Sequence, residues 1–386
     1  MALVHGTVDP AFAELRDLFQ GFLDSGEELG ASISVNLAGR DLVNIWGGHA
    51  DADRTRPWDE STIVNVFSTT KTVTSLAVLM LIDRGLISAN DKVAKYWPEF
   101  AANGKQDVEV RHLLSHTSGV PGWDDPMAVE DLFDFDKAAS KLAAQSPWWT
   151  PGTESGYHSW TFGYLLGTLV RRAAGKTLKA FISEEIAGPL QADFQLGAKE
   201  EDWSRVSNVI PPPAPDGTLP FDPTSIAAKV MLNPVPDANV ANTPQWRQAE
   251  IGSANGHTNA HTVSRILSAV TLGGTVDGHR LLRPDTIDLI FVEQAKGVDL
   301  VTGAHMRHGI GYGITGDGDT LVDSMLPRGR VCFWGGWGGS MAIMDLDRQL
   351  TIAYTMNKME NVGLANKAAR AYLAAIYKAV AGKTTQ

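Results

Sequence analysis

The stretch Ser68-Thr69-Thr70-Lys71-Thr72-Val73-Thr74-Ser75-Leu76-Ala77-Val78-Leu79-Met80-Leu81-Ile82 puts a serine and a lysine three residues apart, just ahead of an apolar run. From Leu76 to Ile82 every residue is apolar. A surface helix keeps a polar face, so this pattern predicts a helix buried nearly all round. Residues three apart share a helix face, which sets the Ser68 hydroxyl beside the Lys71 amine at the helix N-terminus. The positive end of the helix dipole favours negative charge and disfavours a cation. A buried Lys71 there tends to be neutral, hence basic, and a serine beside a base is a nucleophile. A bare Ser-x-x-Lys also arises from a capping serine and a solvated first-turn lysine. The buried helix behind this pair calls for a further reason.

Working outward, an amphipathic helix is expected around Phe12 to Leu23, and Ser32 to Trp46 reads as a β-hairpin split by Ala38, Gly39 and Arg40. The Ser68 helix should stop near Gly85. From there to about Gly175 the pattern is mostly helical, broken by turn clusters such as Ser118-Gly119-Val120-Pro121-Gly122. Strand character returns at Gly309–Ile314, Val331–Phe333, Ser340–Asp345 and Leu350–Asn357, before a final helix with Ala369, Leu373, Ile376, Tyr377 and Val380 on one face. The expected fold class is therefore α/β (α+β). Both chain ends, 1–84 and 305–386, build an antiparallel sheet flanked by helices, and 85–304 forms an inserted, mainly helical region. Nine of the 19 prolines fall in 211–244, a segment that reads as a lid, a binding loop or a stiff surface connection.

Composition narrows the function. The chain has 386 residues, 44% hydrophobic and 20% charged, and a net charge of −11 without a basic block. Nucleic-acid binding lacks its electrostatic footprint. No apolar run approaches the ~20 residues of a membrane span, and Met1–Pro10 lacks the pattern of a secretory signal. The single cysteine, Cys332, fits a reducing compartment and reads as a buried strand thiol. A cytoplasmic location is expected. The oligomeric state is not legible.

A serine/lysine pair needs a proton path to the leaving group and donors for the oxyanion. Tyr157, in Pro151-Gly152-Thr153-Glu154-Ser155-Gly156-Tyr157-His158-Ser159, stands where a loop enters a helical pattern. A cationic lysine beside it would pull its pKa down, letting it share the base role with Lys71; it also reads as a packing tyrosine. In Trp334-Gly335-Gly336-Trp337-Gly338-Gly339-Ser340, glycines allow close approach and leave backbone N–H groups accessible. The N–H groups of Trp337 and Ser68 are candidates for the oxyanion. The alternative is a glycine-rich hairpin in which the two tryptophans pack.

Taken in order, these segments resemble the serine β-lactamase-like superfamily, and within it the family VIII carboxylesterases that are similar to class C β-lactamases and penicillin-binding protein homologues. Supporting stretches are Leu113-Leu114-Ser115-His116-Thr117-Ser118-Gly119, Pro151-Gly152, and His308-Gly309-Ile310-Gly311-Tyr312-Gly313. The resemblance implies a β-lactamase/transpeptidase-like fold and a serine hydrolase. It makes Ser68 the nucleophile, Lys71 its general base, and Tyr157 the group that protonates the leaving alcohol and later activates water. Trp334, Gly335 and Gly336 stand in place of Lys-Thr-Gly, and Trp337 follows as an oxyanion candidate. Two departures bear on substrate. Trp334 cannot supply the positive charge that meets a β-lactam carboxylate, and Ser159 replaces the asparagine expected to bind an acylamide. Losing one charge-assisted contact costs roughly 1.5–3 kcal/mol. The implied activity is hydrolysis of neutral, short- to medium-chain esters through an acyl-enzyme, with a small-molecule ester as the only partner. The alternatives are β-lactamase or D-amino-acid peptidase activity, acyl transfer to another alcohol, and a non-catalytic penicillin-binding homologue.

No cofactor is expected. His112 with His116, and His257 with His261, have helix-compatible spacing but lack the glutamate of His-Glu-x-x-His, so no metal site is expected either. Trp123, Trp148, Trp149 and Trp160 read as pocket lining or as helix packing. Gly-x-Ser-x-Gly is absent, which argues against an α/β-hydrolase.

Overall fold

The computed structural model describes residues 3–213, 221–316 and 318–383. It begins with β1 (Val4–Val8), α1 (Ala13–Ser25), β2 (Gly30–Leu37), β3 (Arg40–Gly48), β4 (Ile63–Asn65) and α2 (Thr70–Asp83). The middle holds α3 (Val110–Leu114), α4 (Phe135–Ala144), α5 (Thr161–Ala174), α6 (Leu178–Phe181), β5 (Gln195–Leu196), β6 (Val206–Ser207), α7 (Ile226–Met231), α8 (Pro244–Gln248), β7 (Gly256–Thr258), α9 (Ala260–Thr271), β8 (Thr275–Val276), β9 (His279–Arg280) and α10 (Pro284–Ile290). It ends with β10 (Ala295–Val298), β11 (His305–His308), β12 (Gly313–Ile314), β13 (Val331–Gly335), β14 (Met341–Asp345), β15 (Leu350–Met356) and α11 (Lys367–Lys383).

Nine strands form one antiparallel sheet in the order β1-β3-β2-β15-β14-β13-β12-β11-β10. Strands from the two chain ends meet at its centre, where Ile33 pairs with Tyr354. The edge strand β10 comes from within 85–304. Along β15 alternate residues face opposite sides. Thr351 bonds Thr271 of α9 at 2.9 Å, and Thr355 bonds Ser32, whose hydroxyl caps the Ala260 N–H of α9. Tyr354 points the other way, against Tyr372 of α11. Helix α9 thus covers one face while α11, packed on α1, covers the other.

The hairpin between β2 and β3 turns at Ala38 and Gly39, both with positive φ, as a tight two-residue loop requires. Of the expected strand Gly309–Ile314 only Gly313–Ile314 is a strand, β12, and β11 ends ahead of it at His308. Gly311 between them has φ +89°, and its N–H is spent on Leu114 rather than on a neighbouring strand. Ile63–Asn65, not anticipated as a strand, joins a second small sheet of order β5-β7-β4-β6.

Helix α2 is buried on every side from Thr70 to Leu81. Its polar side chains are paired: Thr74 donates to Gly252 O at 2.6 Å, Ser75 to Gly311 O at 2.7 Å, and Thr70 Oγ1 accepts from Gly256 N–H at 2.8 Å. Tyr312 donates to Thr72 O at 2.7 Å. The glycine-rich run after His308 therefore holds this helix. Cys332 is a buried thiol in β13. Among the described residues no helix is long and apolar enough to cross a membrane. Of the proline-rich segment 211–244, residues 221–244 are described beyond Pro213 and carry α7 and the start of α8.

Candidate active site

Ser68 lies not in α2 itself but in a single 3-10 turn, Phe67–Thr69, that leads into it. Between Thr62 and Leu81 it is the one residue not buried. The preceding Phe67 has φ +43°, a left-handed conformation that costs a non-glycine residue on the order of 1–3 kcal/mol. Its ring is gripped by Trp246 at 6.2 Å and Trp337 at 5.3 Å. Packing thus holds the backbone in the turn that brings Ser68 to the surface.

Lys71 Nζ lies 3.0 Å from Ser68 Oγ and 2.8 Å from the Tyr157 hydroxyl, and donates to Ser159 O at 2.8 Å and Ser253 O at 3.0 Å. Burial holds its pKa well below the usual lysine range. A neutral amine has two N–H bonds and one lone pair. The two carbonyls can only accept, so they take both N–H bonds, and the lone pair is left for the hydroxyl side of the site. Tyr157 donates to Ser68 Oγ at 2.5 Å, which directs the Ser68 proton toward Lys71.

The phenol departs from expectation. Burial pushes Tyr157 up to about 12, against the opposing pull of Ser68 and Trp334. With the charged form of Lys71 disfavoured by burial, no adjacent cation draws the phenol down, and Tyr157 rests protonated in the free enzyme. His116 and His158 hold its loop. Gly156 N–H donates to His116 O at 3.0 Å, and His158 N–H to His116 Nδ1 at 3.1 Å. His158 itself bonds Ser118 Oγ at 2.6 Å and Gly156 O at 2.7 Å. Burial lowers it to about 4, so it is a neutral structural group.

Trp334 is buried, stacked on His116 at 5.2 Å and tilted against Tyr157 at 5.5 Å. Gly335 packs under Leu364. Gly336 is pressed onto the nucleophile turn: a Cβ there would lie 2.2 Å from Val66 O. Ser340 ties the same places together, donating to Val66 O at 3.0 Å and pairing with Thr69 Oγ1 at 2.9 Å. In the Gly336–Ser340 turn the N–H groups of Gly336, Gly338 and Gly339 are spent on Ser340, Val362 and Gly336 carbonyls. The N–H groups of Trp337 and Ser68 have no protein acceptor among the described residues. One belongs to the nucleophile itself and the other to the turn that packs on Val66 and Thr69.

The histidine pairs go separate ways. His112 Nδ1 accepts the Glu109 N–H at the start of α3, His116 has φ +62°, and His261 faces Asp41 at 3.1 Å. Trp123 is core, donating to Ala138 O, and Trp148 bonds Asp124. Trp149 reaches Thr117 O, and Trp160 packs edge-on against Trp246 near Phe67. Sequence reading missed the Ser159 and Ser253 carbonyls, which act through backbone, and Asp299, whose Oδ1 accepts the Tyr157 N–H at 3.1 Å. None of these carries a local signature.

Residues 15–376 match the family model described as Beta-lactamase. The chain belongs to this family. Esterase/beta-lactamase LipL of Mycobacterium tuberculosis is 34% identical over 294 residues, 74% of this chain and 68% of that protein. A crystal structure of a family VIII carboxylesterase superposes with a TM-score of 0.90 at 34% identity, covering 97% of this chain and 99% of the other. A penicillin-binding protein homologue from Caulobacter crescentus gives 0.88 at 32% identity, with coverage of 97% and 99%. The β-lactamase/transpeptidase-like fold expected from the motifs is the fold observed, and the protein is a serine hydrolase.

Proposed function

We propose that the protein is a carboxylesterase that hydrolyses neutral, short- to medium-chain esters through an acyl-enzyme on Ser68. The observation that carries this reading is the triangle of Ser68 Oγ, Lys71 Nζ and Tyr157 Oη, closed at 2.5–3.0 Å. Ser68 Oγ attacks the ester carbonyl and passes its proton to the Lys71 lone pair. The oxyanion accepts from the Ser68 and Trp337 N–H groups; losing such a donor costs ~10²–10³ in rate. Tyr157 gives its proton to the departing alcohol oxygen and recovers one from Lys71. Water repeats the sequence in reverse roles and releases the acid.

Charge argues for esters. A β-lactam carboxylate needs a cation, and Trp334 offers none. Burial disfavours the charged form of Lys71, and its N–H bonds go to the Ser159 and Ser253 carbonyls. The named relatives support an ester substrate, since one is an esterase/beta-lactamase and one a carboxylesterase. The esterase/beta-lactamase name keeps β-lactamase activity, with D-amino-acid peptidase activity beside it, as the second reading, and the penicillin-binding protein homologue makes a homologue without turnover the third. Measuring kcat/KM for p-nitrophenyl butyrate and for nitrocefin separates them. The ester should be preferred by at least about tenfold, the value of one missing charge-assisted contact. A preference for nitrocefin would overturn the reading of Trp334.

A further inference from the structure

Behind Tyr157 lies a buried polar group that no step above uses. Asp299, in the connection between β10 and β11, has no exposed surface. Its Oδ1 accepts the N–H groups of Thr302 at 2.9 Å and Val301 at 3.0 Å and, across the turn, that of Tyr157 at 3.1 Å. Beside this bond Leu300 N–H donates to Ser155 O at 2.8 Å. The turn is thus fastened to the Tyr157 loop by two bonds, one ending on a carboxylate. Hydrogen bonds to an ionised group are about twice as strong as neutral ones. Oδ2 has no hydrogen-bond partner and faces His308 Nε2, likewise unpartnered, at 3.7 Å. The His308 ring meets His116 edge-on at 5.3 Å and lies tilted against Trp334 at 5.9 Å, and both of those rings contact Tyr157.

We propose that Asp299 is the positioning residue for Tyr157, fixing its backbone through the N–H while the His308, His116 and Trp334 rings fix its side chain, so that the phenol stays aimed at the leaving alcohol. The inference rests on the role proposed for Tyr157. The charge also matters. Burial raises the Asp299 carboxyl, but His308 and the backbone N–H groups outweigh it and hold the carboxyl at about 2. As a carboxylate it adds to the burial that keeps the Tyr157 phenol protonated.

The test uses leaving groups. An alkoxide must be protonated to depart, whereas p-nitrophenolate leaves as a stabilised anion. Asp299→Ala removes the acceptor that the three N–H groups share. We expect kcat/KM for ethyl butyrate to fall about tenfold more than for p-nitrophenyl butyrate, a part of the ~10²–10⁴ that general acid catalysis supplies. The ratio does not depend on how much enzyme is folded, and a merely structural role would lower both esters alike. Should D299A not fold, Asp299→Ser gives the same reading. Equal losses on the two esters, or none, overturn the inference, provided that Tyr157→Phe does discriminate. If Tyr157→Phe lowers both esters equally, the reading of Tyr157 is what fails.

Discussion

Gly336→Ala tests whether the β13 end and the nucleophile turn act as one unit. A Cβ at this position would lie 2.2 Å from Val66 O, 2.5 Å from Ser340 Oγ and 3.1 Å from Thr69 Oγ1. Real Cβ atoms essentially never approach closer than 3.0 Å. The strand must therefore move away from the Val66–Thr69 backbone by about 0.8 Å, because the closest atom is a carbonyl that cannot rotate aside. That motion carries the Trp337 N–H away from Ser68. A misplacement of about 1 Å costs on the order of 10² in rate, close to the loss of one oxyanion donor. The methyl also overpacks the core, at about 1–3 kcal/mol. Steady-state kcat for p-nitrophenyl butyrate, read beside thermal unfolding, should show a fall of about 10² in a protein that still unfolds cooperatively. Gly363→Ala is the control, since nothing lies within 4 Å of its Cβ. A G336A enzyme within threefold of wild type, about 0.7 kcal/mol in barrier, would refute the reasoning.

Two further predictions concern protonation. Burial lowers the Lys71 pKa well below 10.5, so the unfolded chain holds a proton that the native site lacks, and stability rises as pH climbs toward 10.5. Lys71→Met should remove that rise in urea unfolding curves and abolish turnover, while wild-type activity should fall as pH drops through the lowered lysine pKa. Glu28 is the opposite case: burial raises it to about 7, against hydrogen bonds from Tyr354 and Tyr372. Its stabilising proton is present at low pH and lost as pH rises through about 7, and the part lost between about pH 5 and pH 8 is roughly 2–3 kcal/mol at ~1.4 kcal/mol per pKa unit. Glu28→Gln should gain that much relative to wild type between about pH 5 and pH 8; a difference that does not change with pH counts against it.

What was legible in the sequence followed from local chemistry. The apolar run after Lys71 announced a buried helix, the Ala38-Gly39 pair announced a hairpin, and the glycines around Trp337 announced a close approach. What was not legible depends on contacts distant in sequence. Phe67 takes a left-handed backbone because Trp246 and Trp337 hold its ring. The lysine finds its two carbonyl acceptors 88 and 182 residues away. Asp299 reaches Tyr157 across 142 residues. The direction of the Tyr157 shift was misjudged because a lysine buried deeply enough to be a base no longer supplies the positive charge that would lower a phenol. Strand β4 escaped notice because three residues give too short an alternation to read.

The central claim is that Ser68 carries the acyl group. Intact-mass spectrometry of enzyme quenched during turnover of p-nitrophenyl butyrate, followed by peptide mapping, tests it directly. The account predicts a burst of p-nitrophenol and a butyryl adduct on the peptide containing Ser68, both absent in Ser68→Ala. Undiminished hydrolysis by Ser68→Ala, or an adduct mapping elsewhere, would contradict it.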